Sequence, residues 1–394
     1  MGFVAAGGVN RTLLREIPAD LARERFSALL VKKAYSLSVL QISMPSVALI
    51  TFAVALAIGQ GSHHALLVAA TTALLVSANA VQSVAGDSLR AFGDVRFASF
   101  VEGRSGGAAV LMVFALLLLP FISRSISLGA ALLVNLVAYG FVLIPAARRL
   151  AAYWRRIAGR AAASCNSAVA ESASAKRSFL TTSAIFVGTQ LITMLASQVD
   201  LWLGGTILGP REISLFAAAT RVMMLVSMPL VAMQFTLAPI IAALYAAGET
   251  KRLRHRVKTA SAVVGLPSFA ALILLAAVPG DVLSLVFGSS YAGGSEALLW
   301  LAFGQAVNAA TGLCGLVLAM TRFERDVLMV GSIITALKVG LGIPAAMQYE
   351  VVGLAAVSGI TTALLFGILL LLARVRLGFW TTPRLPRLRG SFAS

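Results

Sequence analysis

Lys251-Arg252-Leu253-Arg254-His255-Arg256-Val257-Lys258 runs directly into residues 259–278, a stretch with no charged residue and one proline, Pro267. Five cations that stop where about 20 apolar residues begin mark the point where a chain leaves an anionic surface and enters hydrocarbon. Working outward, the same alternation recurs and permits one threading, with membrane segments at 35–58, 65–88, 105–122, 127–146, 179–207, 213–246, 260–278, 295–320, 327–346 and 351–373. Alternate loops then hold 28 of the 32 Lys and Arg residues. The poor side keeps Arg124 and Arg211, and Arg221 and Lys338 fall inside segments. The positive-inside rule makes the rich side cytoplasmic, so both ends of the chain are expected there.

Composition sets the class. With 59% apolar and 12% charged residues the sequence reads as an all-α integral membrane protein. A net charge of +17 would otherwise suggest nucleic acid as a partner. Here the charge sits in short loops, where orientation and the anionic inner leaflet account for it. Cys165 lies in a linker and Cys314 inside a segment, which gives no disulfide framework, and His63, His64 and His255 have no metal-ligand spacing. No cofactor is expected.

The two halves repeat. Met44-Pro45-Ser46-Val47-Ala48-Leu49 matches Leu266-Pro267-Ser268-Phe269-Ala270-Ala271, and Leu128-Gly129-Ala130-Ala131 matches Val352-Gly353-Leu354-Ala355. Each half ends in paired arginines, Arg148-Arg149 and Arg374-Val375-Arg376. Such duplication predicts two pseudo-symmetric helical bundles, as in transporters. Segments 179–207 and 213–246 have no full counterpart in the first half, so the expectation is about four plus six helices, the N-terminal bundle lacking most of its first two. The expected division is an N-terminal bundle at 1–146, a cytoplasmic linker at 147–178, a six-helix bundle at 179–378 and a cytoplasmic tail at 379–394. The linker opens with Tyr153-Trp154-Arg155-Arg156, which suits an amphipathic helix lying on the inner leaflet, and continues Ala/Ser-rich over 161–178.

Several motifs carry a family resemblance: Asp200-Leu201-Trp202-Leu203-Gly204-Gly205-Thr206-Ile207-Leu208-Gly209-Pro210, Phe216-Ala217-Ala218-Ala219-Thr220-Arg221, Leu237-Ala238-Pro239-Ile240, Leu244-Tyr245-Ala246-Ala247-Gly248-Glu249 and Phe287-Gly288 with Tyr291-Ala292-Gly293-Gly294. They resemble the polysaccharide-transport branch of the multidrug/oligosaccharidyl-lipid/polysaccharide exporter superfamily, which includes O-antigen flippases. Leu13-Leu14-Arg15-Glu16-Ile17-Pro18 resembles that family's cytoplasmic stretch after its second membrane helix. The resemblance implies a multi-pass protein of the bacterial inner membrane that moves a lipid-linked oligosaccharide to the periplasmic leaflet by alternating access, with a coupling ion as a further partner. The same superfamily leaves open a peptidoglycan-precursor flippase and a drug/cation antiporter. A membrane glycan ligase or polymerase needs a sizeable extramembrane loop or an acid/base constellation. The longest periplasmic stretch, 279–294, has only Asp281 and no histidine, so no enzyme activity is expected.

Charges inside hydrocarbon are the sharpest candidates for a substrate cavity, since each costs about 2.5–3.5 kcal/mol on insertion scales unless paired or wetted. Asp200 lies ten residues before Pro210 and Arg221 eleven after it, at equal depth on neighbouring helices. They read either as a structural ion pair that pins this hairpin or as a cavity site in which Arg221 recruits a phosphate. Lys338 has no acid at i±3 or i±4, and is expected to face water or an anionic substrate. Gln190, Gln198, Gln305 and Asn308 are candidates for reading sugar hydroxyls, against interhelical hydrogen bonding as the commoner role. Pro45, Pro229, Pro239 and Pro267 are hinge candidates, because each removes a helical hydrogen bond.

Overall fold

A computed structural model describes residues 2–59, 65–102, 128–163 and 173–383. Every described element is helical, as hydrocarbon demands of a backbone that must satisfy itself. In chain order the helices are α1 Gly2–Ala5, α2 Val9–Leu21, α3 Phe26–Ile58, α4 Ala65–Ala91, α5 Val95–Glu102, α6 Leu128–Ala163, α7 Ala173–Ile207, α8 Pro210–Ala246, α9 Thr250–Ala277, α10 Pro279–Phe287, α11 Ser295–Thr311, α12 Cys314–Met320 and α13 Glu324–Leu377. Seven are long and apolar enough to cross a membrane, and residues 289–311 with α12, bent by 52°, make an eighth when the pair is counted as one span. The longest, α13, has non-helical backbone at Tyr349 and Glu350, which divides it at the boundary expected between segments 327–346 and 351–373. The expected segment 105–122, with Arg104, Arg124, His63, His64, Cys165 and residues 384–394, lies outside the described residues.

Within the spans, hydroxyls return to the carbonyl one turn back, as Ser46 does to Ile42 (2.7 Å), Thr51 to Val47 (2.7 Å) and Ser332 to Leu328 (2.8 Å). A polar side chain is thereby carried in an apolar span without an unmet donor. Amides instead bridge helices. Asn79 Nδ2 donates to Tyr139 Oη at 3.3 Å, joining α4 to α6, and Gln82 donates to the Val101 carbonyl, joining α4 to α5.

The chain divides into two compact units at Gln190 and Leu191, within α7. In the first unit residues 13–18 belong to α2, whose Leu13, Leu14 and Ile17 are buried. One expectation there needs correction. Residues 147–163 are not a separate surface helix, because α6 continues without a break to Ala163. The reason is aromatic packing. Tyr153 stacks on Phe92 (5.1 Å between centroids), Trp154 meets the same ring edge-on, and Arg149 lies 4.0 Å over Phe97 while pairing with Asp94 at 2.9 Å. The Trp that suggested a headgroup contact is 7% exposed.

In the second unit, Gly209 is extended and Pro210 sits in the first turn of α8 with Glu212, so the Gly-Pro of the long motif is a helix stop followed by a helix start. The core is built on α8 (Ala218, Ala219, Val222, Met223), α9 (Leu272, Leu275), Leu283 of α10 and α11 (Leu298, Ala302). α11 and α13 approach at backbone distance: a Cβ added at Gly359 would lie 2.1 Å from the Trp300 carbonyl oxygen. Small residues at such crossings are how membrane helices gain van der Waals contact without a hydrophobic driving force.

Candidate functional site

The span charges of the second unit are arranged differently from the expected hairpin pair. Asp200, near the end of α7, does not meet Arg221. Its Oδ2 accepts from Lys338 Nζ of α13 at 2.6 Å and from Ser358 Oγ at 2.8 Å. Lys338 Nζ also donates to the Ala196 carbonyl at 3.1 Å. Asp200 and Lys338 are 6% and 7% exposed, so the pair is withdrawn from solvent. Lys338 is therefore not the unpaired charge its local sequence implied. Its partner is brought by tertiary packing, and spacing along one helix carries no sign of it. Asp200 Oδ1 is buried with no hydrogen-bond partner among the described residues. One acceptor of the carboxylate is thus unused in a site where unmet acceptors are costly.

Arg221, by contrast, is exposed on α8, and its polar contact among the described residues is Met224 Sδ at 3.6 Å. Once Asp200 and Lys338 cancel, Arg221 is the uncompensated charge of the three.

The amides fall into two groups. Asn308 Nδ2 donates to Gln305 Oε1 at 3.1 Å along α11, and Asn308 Oδ1 is buried without a partner among the described residues. Gln190 and Gln198 are half-buried on α7, and Gln190 Nε2 has no partner among the described residues. The prolines sit inside continuous helices: Pro45 in α3, Pro229 and Pro239 in α8, and Pro267 in α9. None of these four prolines coincides with the positive-φ backbone at Gly312 (φ 71°), between α11 and α12, or at Glu350 (φ 49°), in α13.

A polar network in the first unit escaped the reading of loops and spans. Lys32 Nζ of α3 bridges Glu16 (2.6 Å) and Asp20 (2.5 Å) of α2, and Arg15 pairs with Glu16 at 3.0 Å. Asp87 of α4 takes Arg90 at 2.9 Å and Asn10 at 3.0 Å. Burial raises the Asp20 carboxyl above its ordinary 3.8, and Lys32 offsets only part of that. Glu16 and Asp20, four apart, already place two acids on one helix face, which was the available signal. Counting cations by loop hid it.

Residues 186–346 match the family model MatE. No curated protein matches the chain. Among solved structures, the chain is similar to a MATE transporter in the bent conformation (15% identity, TM-score 0.77, 96% of this chain and 85% of that one). It is also similar to a MOP superfamily transporter from Pyrococcus furiosus (15%, TM-score 0.75, 96% and 85%) and to the Vibrio cholerae MATE transporter VcmN in its bent form (14%, TM-score 0.69, 96% and 86%). At these identities the likeness is one of fold: the described helices have the fold of MATE transporters, and residues 186–346 carry the MatE sequence pattern.

Proposed function

We propose that this protein is a membrane transporter of the MATE type that moves a lipid-linked oligosaccharide, with its anionic phosphate linkage, from the inner to the outer leaflet of a bacterial inner membrane. The observation that carries the reading is the charge balance of the second unit. Asp200 and Lys338 neutralise each other at 2.6 Å, and Arg221 is left exposed on a span with no carboxylate partner among the described residues. An arginine in hydrocarbon is costly unless it faces water or an anion, so a cation left over on a span favours an anionic ligand. Guanidinium suits phosphate in particular, since its planar fork donates two hydrogen bonds at once. The Pyrococcus furiosus relative is described as having a binding pocket of reverse polarity, which supports treating charge sign as the variable that separates substrates on this fold.

A second reading, a drug/cation antiporter, is favoured by one observation: the unused Oδ1 of Asp200 is an acceptor for a cation. Two assays separate the readings. Cell-surface polysaccharide is measured in a strain deleted for the gene and complemented with wild type, Arg221→Ala or Arg221→Lys, and ethidium extrusion is measured in the same cells. The proposal expects surface glycan lost in the deletion, restored by wild type, absent with Arg221→Ala and partly restored with Arg221→Lys. Unchanged glycan in the deletion, with ethidium extrusion lost there and restored by wild type, would establish the antiporter instead.

A further inference from the structure

Helix α13 closes at Gly378, which is left-handed (φ 76°) and returns its amide to the Arg374 carbonyl at 3.0 Å. The chain then folds back onto the second unit. Phe379 is 5% exposed and Thr381 fully buried, although both stand outside any helix. The Thr381 hydroxyl donates to the Thr311 carbonyl at 2.7 Å.

Thr311 is the last residue of α11, at the break where the span bends by 52° into α12. A helix that stops inside a span leaves its final carbonyls without the amides that would have followed, and something must satisfy them. Thr311 turns its own hydroxyl to the Asn308 carbonyl at 2.9 Å, and Thr381 supplies a donor to the carbonyl of Thr311 itself. The terminal segment thus provides a hydrogen bond that a straight helix would provide internally.

The seat is shaped for this segment. A Cβ at Gly312 would lie 2.6 Å from the Thr381 carbonyl oxygen and 2.5 Å from Ser261 Oγ, and one at Gly265 would lie 3.3 Å from Pro383 Cγ. Two glycines on neighbouring helices, α9 and the α11 break, therefore open the groove that residues 381–383 fill. Ser261 Oγ is buried there without a partner among the described residues, so the groove keeps a spare hydroxyl beside the broken carbonyls.

We propose that residues 378–383 are an intramolecular latch that holds the α11 and α12 span in its bent form, and that leaving the groove frees the bend to change. The device is a local one. Its two states differ by one hydrogen bond to Thr311, by the contacts of Thr381 with the break and of Pro383 with α9, and by the burial of Phe379.

The test uses the full-length protein in lipid nanodiscs, with Cys165→Ser and Cys314→Ala, and spin labels at Phe303→Cys and Arg322→Cys on either side of the bend. Thr381→Val removes the donor at nearly constant volume, Thr381→Ser keeps it, and Gly265→Val fills the seat of Pro383. The latch predicts that Val at 381 and Val at 265 each shift or broaden the distance distribution, whereas Ser at 381 keeps it. Amide exchange at residues 313–317, read on the same preparations without labels, should quicken in the two Val variants only. A distance distribution and exchange profile of wild-type form in both Val variants would overturn the latch, as would equal changes in Val and Ser at 381.

Discussion

Lys338 Nζ lies 2.6 Å from Asp200 Oδ2, joining two spans that are 138 positions apart in the chain, and Ser358 fixes the same oxygen from a third direction at 2.8 Å. Breaking one side of such a pair leaves a buried charge uncompensated, which costs about 3–5 kcal/mol, whereas removing both is close to neutral. Lys338→Ala and Asp200→Ala should each lower the amount of inserted, detergent-stable protein. Asp200→Ala/Lys338→Ala should recover most of it. Stability of the double variant no better than either single would show that the two charges act separately.

Much of this arrangement was legible in the sequence, and the misses share one cause. Spans were readable because hydropathy is a local property, and even the division of α13 at Tyr349 and Glu350 was placed from composition. Charge partners were not. The hairpin logic that set Asp200 against Arg221 assumed that equal depth on consecutive helices means contact, but which face each side chain takes depends on packing. The Lys32 bridge to Glu16 and Asp20 escaped for a related reason, since a cation counted toward orientation was already committed to a buried pair. The bend at Gly312 escaped because glycine in an apolar run is common, and only its contacts with Thr381 and Ser261 distinguish it.

Arg221 should behave unlike Lys338 in stability as well as in transport. Its guanidinium is exposed and its polar contact among the described residues is a thioether, so Arg221→Ala orphans no buried acid among them. The expected change in detergent stability is within about 0.5 kcal/mol, as for other surface substitutions. A loss as large as that of Lys338→Ala would mean that Arg221 has a structural partner.

Orientation is testable at described positions on both sides of the expected membrane. Lys251, Arg252, Arg254 and Arg256 are exposed at the start of α9 while Leu253 and Val257 are buried, so the basic face is free to meet anionic headgroups. Reporter fusions after Lys33, Arg160 and His255 are expected to read as cytoplasmic and a fusion after Tyr291 as periplasmic. Inverted readings would refute the threading.

Asp20 gives the first unit a pH dependence of defined sign. Its carboxyl is raised in the folded protein above 3.8, first by burial and only partly offset by Lys32 at 2.5 Å. A raised folded value means that the stability this group contributes is fully present below its unfolded pKa, about 3.9, and is lost as pH rises through the folded value. Asp20→Asn cannot ionise and lacks that loss. Thermal unfolding of both proteins followed upward from pH 3 should therefore show wild type falling relative to Asp20→Asn above about pH 4, and the opposite trend would contradict the assignment.

Gly359 and Gly367 lie two turns apart on the same helix and should respond oppositely to one methyl group. A Cβ at Gly359 would stand 2.1 Å from the Trp300 carbonyl oxygen, a backbone atom that cannot rotate away, so Gly359→Ala must push α13 from α11. Overpacking of this kind costs about 1–3 kcal/mol. At Gly367 nothing lies within 4 Å of the added atom, and the higher helix propensity of alanine should leave stability equal or raise it by up to about 1 kcal/mol. Melting temperatures of the two variants in the same detergent decide the matter. If Gly359→Ala melted at or above wild type, the backbone contact between α11 and α13 would not be what holds this crossing together.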